Sequence, residues 1–305
     1  MDTQSLQAFL AVADTSSFSR AAEQLHLTQP AVSKRIAVLE NQTRARLFDR
    51  IGRRVSLTEA GQVLLPRARQ ILVMVDDSRR ALGNLTGDVS GSLTLATSHH
   101  IGLHRLPPIL GAYVKHHPEV RLDLRFLDSE QAYQGVLDGE VEIAVVTLAA
   151  QPDPQLQVVP MWIDQLCFVA ARDHELARHG RLSLATLCEH NAVLPGPLTF
   201  TRQLIQARLA DRGLGVSVTQ STNYLETLKM MATAGLGWSL LPEQMVAQEI
   251  ASGALARLDV DASAVERPLG YLVHRDRTLS NAARSMLARL DEVREKAALV
   301  WPERQ

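Results

Sequence analysis

The sequence predicts an α/β chain in which an all-α N-terminal segment and one long helix precede a region of alternating short strands and helices. Three observations carry that prediction. The length of 305 residues is roughly twice that of one ordinary domain. The first ninety or so residues place apolar side chains at helical spacing almost throughout. From Gly91 the apolar runs shorten to strand length and alternate with helical stretches, the pattern of an α/β fold with largely parallel sheets.

Composition narrows the class. Hydrophobic residues make up 46% and charged residues 21%, which excludes a disordered or collagen-like chain. Net charge is −1 overall, yet up to Ser90 there are 12 basic and 9 acidic side chains. Between Lys34 and Arg54 seven cations, Lys34, Arg35, Arg44, Arg46, Arg50, Arg53 and Arg54, oppose only Glu40 and Asp49. Such a local excess suits contact with a polyanion. No apolar run approaches the ~18 residues that span a bilayer. Met1-Asp2-Thr3-Gln4 lacks the basic start of a signal peptide, so the expected location is the cytoplasm, with no membrane partner. Cys167 and Cys188 have neither a flanking cation nor a CxxC partner, and are read as small buried hydrophobes rather than a redox pair.

The N-terminal elements follow in order. Leu6, Phe9, Leu10 and Ala13 form one helical stripe. Ser17-Phe18-Ser19 offers an N-cap for a second helix, Arg20 to about Leu25, whose Ala21-Ala22 pair permits close packing. Thr28 caps a third, with Pro30 in its first turn, where a missing N–H costs nothing, and Val32, Ile36 and Leu39 facing inward. Gly52 to Leu57 reads as a short hairpin or wing. Thr58-Glu59-Ala60-Gly61 opens a long helix with a seam of Val63, Leu64, Ala68, Ile71, Leu72, Val75 and Leu82. That seam is longer than one small domain can cover, so it calls for a partner helix and a homodimer. Gly83, Gly87 and Gly91 with Ser90 and Ser92 mark a linker.

Beyond it, strands are predicted at Ser92–Thr97, Arg121–Leu127, Ile143–Thr147, Leu166–Ala171, Ala192–Leu194, Ser217–Thr219, Trp238–Leu240 and Leu269–Val273. Helices are predicted at His104–His116, Glu130–Leu137, Phe200–Asp211, Tyr224–Ala234, Pro242–Ile250 and Ser280–Lys296. These elements suffice for two subdomains with a cleft between them. The expected division is residues 1–60, a linker helix over 61–90, and 91–305, the last split into about 91–162 with 267–305, and about 163–266.

Ser19 to Arg35 has the layout of a helix-turn-helix, with its turn at His26-Leu27. The second helix of such a unit lies in the DNA major groove. Gln29, Ser33 and Arg35 are the natural base readers there, Gln bonding adenine and Arg forking onto guanine. Lys34, Arg50, Arg53 and Arg54 would meet phosphates, which gives register and salt-dependent affinity. Ser19, Arg20, Thr28 and Pro30 complete the expected DNA-facing set. The plain alternative is a helical bundle with a solvated basic face.

Leu6 to Ala13, Ser17 to Ala22, Leu27 to Ile36, Leu47-Phe48-Asp49-Arg50 and Leu57 to Gly61 together resemble the LysR-type transcriptional regulators. The match is collinear over about sixty residues. The resemblance implies an N-terminal winged helix-turn-helix, a linker helix, and a two-subdomain α/β effector-binding domain similar to periplasmic binding proteins. It also implies a homodimer through the linker helix, commonly a tetramer, which binds double-stranded promoter DNA and alters transcription when a small effector enters the cleft, with RNA polymerase as a further candidate partner. One departure is present: where the family usually carries Leu-Gly after the recognition helix, this chain has Thr43-Arg44. Gly relieves a left-handed backbone at that place, so Arg44 should weaken the stop by up to ~1 kcal/mol. Whether the helix runs on or Arg44 adds a phosphate contact stays open.

In the C-terminal region, Ser98, His99 and His100 follow a first strand, where open α/β sheets bind ligands. Free N–H groups there favour anions. Similar regulators place the effector against this loop, the loops after later strands and a Pro-rich turn, which gives Ser98, His99, His100, Ser129, Thr147, Thr199, Phe200 and Thr201 as candidates and a small anion as the effector. Adjacent His99 and His100 with His104 lack a carboxylate or thiol companion for a metal site. His116-His117 reads as a helix end, and Met230-Met231 as core filler. Gly235-Leu236-Gly237-Trp238 reads as a turn into a strand rather than a nucleotide cradle. No GxSxG, HExxH or GxxxxGK[ST] occurs, so neither catalytic residues nor cofactors are expected. The competing reading is a cytosolic small-molecule-binding enzyme with a helical dimerisation arm, which would not need a basic recognition helix and wing.

Overall fold

A computed structural model of the protein describes residues 1–51, 54–262 and 264–300, the side chains at 50, 51, 54 and 297–300 excepted. The chain divides into two compact units, Met1–Thr86 and Gly87–Gln305.

The first unit begins with helix α1 (Thr3–Thr15), capped by Asp2, whose carboxylate accepts from Ser5 N at 2.8 Å. Helix α2 (Phe18–Gln24) is capped by Ser17, and α3 (Gln29–Thr43) by Thr28 with Pro30 in its first turn. The turn between them passes through His26 in the left-handed region, φ +53°. Strands β1 (Phe48–Ile51) and β2 (Arg54–Leu57) pair antiparallel as the wing. Phe48 anchors the wing by packing its ring 5.3 Å from Phe9 and 5.9 Å from Phe18. The core of this unit holds Leu6, Phe9, Val12, Val32, Ile36 and Leu39 at almost no exposure.

Helix α3 stops at Thr43. Arg44 itself takes the left-handed cap, φ +53° and ψ +31°, and its N–H bonds Glu40 O. Thr43 Oγ1 donates to Leu39 O at 2.9 Å, and the Glu40 carboxylate accepts from Leu47 N at 2.8 Å. These bonds hold the termination without the glycine. Helix α4 (Glu59–Gly83) starts at the Thr58 cap. Gly61 lies so close to the preceding segment that a Cβ would stand 2.2 Å from Leu47 O. Along α4, Ala68 is buried and Leu64, Ile71 and Leu72 pack on the core of the unit. Of the predicted seam, Val63 and Leu82 remain 57% and 69% exposed, and Met74, outside it, is 70% exposed, so this unit alone leaves part of the apolar surface of α4 uncovered.

In the second unit the elements are β3 (Gly91–Thr97), α5 (His99–His104), α6 (Pro107–His116), β4 (Val120–Phe126), α7 (Ser129–Leu137), β5 (Ile143–Thr147) and β6 (Leu156–Ala171). Then come α8 (Leu184–Cys188), β7 (Ala192–Leu194), α9 (Phe200–Ala210), β8 (Val218–Ser221), α10 (Leu225–Thr233), β9 (Ser239–Pro242), α11 (Glu243–Ser252), β10 (Leu255–Arg257), β11 (Val265–His274) and α12 (Asn281–Val300). One sheet runs β10-β6-β11-β5-β3-β4 with β9 also on β6, and β7 pairs β8 separately.

The expectation of largely parallel sheets is corrected here. β3 is parallel to β4 and β5, and β7 to β8, but β6 is antiparallel to β9, β10 and β11, and β11 to β5. The reason is that β6 carries the chain out of one lobe and β11 carries it back, so they lie side by side in opposite directions. Their register shifts between Leu269 and Gly270, where a Cβ on Gly270 would stand 2.1 Å from Val159 O. The predicted subdomain borders near 162 and 267 fall within these two strands. One lobe packs Leu93, Leu95, Ile143, Val145 and Met286. The other packs Phe168, Leu182, Ile205 and Trp238.

Three further predictions need correction. The single helix expected over His104–His116 is α5 and α6, because Pro107 and Pro108 lack the N–H groups that would continue a helix through Arg105-Leu106. β6 begins ten residues before the predicted Leu166, since Pro160 and Asp164 break its apolar run. Met230 is 55% exposed rather than core filler. Gly235-Leu236-Gly237 does turn into β9, and Gly237 has no room for a Cβ, which would meet Asn191 O at 2.5 Å. Cys167 is buried among apolar neighbours, and burial pushes its thiol up to about 11, where it stays protonated.

Candidate nucleic-acid interface and effector cleft

Val32, Ile36 and Leu39 face the core of the first unit, which leaves Pro30, Lys34, Ala37 and Val38 as the exposed side of α3. Gln29 Nε2 donates to Ser33 Oγ at 2.9 Å, so these two polar side chains share one edge of that side. Arg35 lies on the other edge, where its Nη2 donates to Gln4 Oε1 on α1 at 3.0 Å. Lys34 thus projects outward, and Arg35 is turned toward α1. Lys34, Arg44 and Arg46 are exposed and take part in no ion pair among the described residues. The acid of α3, Glu40, is turned inward to Leu47 N. Ser19 and Arg20 are exposed on α2, with the Arg20 guanidinium donating to Thr15 O. Arg50 and Arg54 stand on the wing strands, with their side chains outside the described residues, as is Arg53 entirely.

The second site is the cleft between the two lobes of the second unit. Ser98, His99, His100, Ser129, Thr147, Thr199 and Thr201 line it, together with Asp128, Glu130, Pro195, Asn223, Leu225 and Arg267. The structure therefore brings together all but one of the residues predicted for it. Phe200 packs its ring against Tyr133 at 5.2 Å, edge to face, and contributes its backbone N–H. The free space is about 50 Å³, above one water but far below an ordinary ligand pocket.

The cleft is narrow because the lobes bond to each other across it. Phe200 N donates to Glu130 Oε1 at 2.5 Å, and Asn223 Nδ2 to Asp128 Oδ2 at 2.7 Å. The His99 ring packs 4.5 Å from Tyr224, and His104 meets Glu226 at 3.0 Å. Ser129 Oγ accepts from Thr147 N at 3.2 Å, which ties α7 to β5.

Beneath the cleft, Asp164 on β6 is 5% exposed and Arg267 on β11 3% exposed. Arg267 Nη2 reaches Asp164 Oδ2 at 2.5 Å, Arg105 Nη2 reaches Oδ1 at 3.0 Å, and His100 Nε2 lies 3.3 Å from Oδ2. Burial works to raise the Asp164 carboxyl, but the His100 hydrogen bond and the Arg267 guanidinium outweigh it and hold the group well below the usual carboxylate range. Burial lowers the His100 imidazole below its ordinary value, against the pull of Asp164. With Nε2 donating to Asp164, the neutral ring leaves Nδ1 as a bare acceptor, and that buried atom has no hydrogen-bond partner.

His100 and His104 rings lie 5.0 Å apart, while His99 turns to Phe126 and Tyr224. Among the described residues no group of three His, Cys, Asp or Glu side chains is arranged to hold a metal. A larger groove of about 430 Å³ beside α10 is lined by Glu226, Lys229 and Glu249, which pair with one another. Its one charge of positive sign is already shared between two carboxylates, although Glu249 Oε2 is buried without a hydrogen-bond partner, and the interlobe cleft, which gathers the predicted residues, is the stronger candidate. Asp128, Glu130, Asp164, Asn223 and Arg267 escape sequence reasoning. Acids at 128 and 130 read simply as complements to the amino end of α7, and nothing local tells that Glu130 crosses to the other lobe.

A capped second helix with an outward cation and a wing, followed by a two-lobed α/β unit with a polar cleft, defines a DNA-binding regulator with an effector-sensing domain. The profile described as the bacterial regulatory helix-turn-helix protein, lysR family, matches residues 3–62, and that of the LysR substrate binding domain matches residues 86–295. The chain belongs to the LysR family of transcriptional regulators.

A helix-turn-helix-type transcriptional regulator in the ibpB-leuC intergenic region of Azotobacter vinelandii is 73% identical over 108 residues, 35% of this chain and 75% of that one. The Shigella flexneri regulator YfeR is 30% identical over 281 residues, 92% of this chain and 90% of that one. Among solved structures, full-length CbnR complexed with its target DNA has a TM-score of 0.61 at 22% identity, over 98% of this chain and 100% of that one. The effector-binding domain of QuiR in complex with shikimate has a TM-score of 0.60 at 14% identity, over 68% of this chain and 98% of that one. These likenesses to solved structures show the fold. No described helix is long and apolar enough to cross a membrane.

Proposed function

We propose that this regulator binds double-stranded promoter DNA through residues 1–60, dimerises through the helix of 61–90, and senses a small effector between the two lobes of 91–305. The carrying observation is the outward face of α3, where Lys34 stands exposed and unpaired beside the Gln29–Ser33 edge. On this reading Gln29, Pro30, Ser33 and Lys34 meet base edges. Arg35, held by Gln4, serves with Ser19, Arg20 and Thr28 at the backbone, as do the wing residues Arg50, Arg53 and Arg54. The uncovered seam residues Val63 and Leu82, with exposed Met74 on the same helix, support a homodimer, and pairs of dimers supply the homotetramer. The protein acts in the cytoplasm, without catalytic activity, cofactor or membrane, and RNA polymerase is the partner through which promoter occupancy is read.

The test is genome-wide mapping of fragments bound by the purified protein at stated salt. A compact set of sites with dyad symmetry is expected. Lys34→Ala should relax base preference at one position of each half-site, and Arg53→Ala should weaken all sites evenly and reduce the salt slope by about 1. Binding with no preferred sites, in the wild type, contradicts the proposal.

A further inference from the structure

The interlobe cleft already contains a carboxylate. Glu130, in the first turn of α7 on one lobe, reaches over and accepts from Phe200 N, the first N–H of the 11-residue helix α9 on the other. An amino-terminal N–H of a helix is a favourable place for an anion, and here the chain fills it with its own. A second feature of the same cleft points independently to a ligand. His100 lines it, its side chain is nine-tenths buried, and Nδ1 has no partner. Because Nε2 faces the Asp164 carboxylate, Nδ1 presents a lone pair. A buried acceptor left open is costly, and a ligand hydroxyl would satisfy it. The neighbours facing His100 are Asp164, Arg267, Arg105 and His104, all of which except His104 are bonded within the Asp164 cluster, while His104 bonds Glu226.

We propose that Glu130 stands in for the carboxylate of the effector, and that the effector is a small hydroxycarboxylate. Its carboxylate displaces Glu130 from the amino end of α9 and its hydroxyl donates to His100 Nδ1. The proposal rests on the cleft being the effector site. It accounts for the narrow space of about 50 Å³, since the ligand gains the room that the Glu130 side chain vacates. It also supplies a switch: the bridge from α7 to α9 is a covalent part of the chain in one state and a diffusible molecule in the other. The bound state can therefore set a different lobe arrangement, as ligand-driven population shift requires. A cationic effector would instead draw Glu130 away and leave Phe200 N unpaired.

The experiment is thermal unfolding of the full-length chain, wild type and Glu130→Ala, titrated with acetate, glycolate and acetamide. The variant alone should melt lower, having lost the bond to Phe200 N. Acetate and glycolate should restore it at concentrations at least tenfold below those needed to shift the wild type, because an internal competitor reduces apparent affinity by the fraction of open sites. Acetamide should do nothing. Glycolate should act ahead of acetate, and that lead should vanish when His100→Phe is added. Should Glu130→Ala fail to fold, Glu130→Gln keeps an acceptor for Phe200 N without the charge, and should bind glycolate several-fold more tightly than the wild type. Equal sensitivity of wild type and variant, or equal effects of acetate and acetamide, overturns the proposal and leaves Glu130 a cap. Fragment selection is read on the same preparations. Its failure would sink the regulator reading, while the carboxylate titration judges this proposal separately.

Discussion

Helices α3 and α9 begin alike and end up in opposite conditions. Each is capped by a threonine whose hydroxyl accepts from a backbone N–H three residues on, Ala31 at 3.4 Å and Arg202 at 3.2 Å. Each is followed by polar side chains in its first turn. Yet α3 presents Gln29, Ser33 and Lys34 to solvent, whereas the first N–H of α9 is taken by Glu130 and its neighbours Thr201 and Arg202 are buried. The same local chemistry thus yields one surface ready for a charged partner and one site closed by the chain itself. What separates them is the element packed opposite. Lys34 on the outer side of α3 has no ion-pair partner among the described residues, while α9 faces the acidic first turn of α7.

The largest expected effect breaks the closed side. Arg267→Met removes the most deeply buried partner of Asp164 and leaves that carboxylate to Arg105 and His100, and stability in chemical denaturation should fall by about 3 kcal/mol. The pH dependence sharpens this. The folded-state pKa of Asp164 is depressed, so its contribution is present above its unfolded value near 4 and is lost as pH falls through the lower folded value. The His100 imidazole is also depressed, so the unfolded chain takes up that proton first and stability drops as pH falls below about 6.5. His100→Phe should flatten that upper limb and, by removing one of the bonds that depress Asp164, also shrink the lower one. Denaturation midpoints between pH 3 and 8 check both.

Smaller effects fall on the ready side. Thr58 caps α4, accepting from Gly61 N at 3.1 Å and donating to Arg46 O at 2.6 Å, so Thr58→Ala should cost about 1 kcal/mol. The smallest runs the other way. Arg44 occupies a left-handed position, and Arg44→Gly should stabilise the first unit by about 0.5 kcal/mol, less than the full relief because glycine also frees the unfolded chain. A destabilised Arg44→Gly variant would mean that the guanidinium holds more than its exposure suggests.

The difference between the two helices also marks how far sequence could reach. The first unit was legible nearly residue by residue, because its caps at Ser17, Thr28 and Thr58 and its buried stripe are local, periodic signals. Strand β7 at Ala192–Leu194 was legible for the same reason, a short apolar run between turns. The N-terminal half of β6 was not, since Pro160 and Asp164 disguise a strand whose identity comes from pairing with β11 a hundred residues away. The residues at the carboxyl ends of the strands around the cleft were found, as the rule for open sheets directs. Glu130, Asp164 and Arg267 were missed because their roles arise from partners 70 and 103 positions distant. The bond from Arg35 to Gln4 on α1 likewise spans 31 positions and has no local signal.

The most direct measurement of the contrast between a ready surface and a self-closed cleft is the affinity of the ligand-free protein for a selected DNA fragment between 50 and 200 mM salt. The account predicts binding without any added effector, with a loss of roughly a thousandfold or more across that range if six or more phosphates are contacted, and no weakening at fixed salt in Glu130→Ala. Absence of binding in the ligand-free protein, or a flat salt dependence, would contradict it.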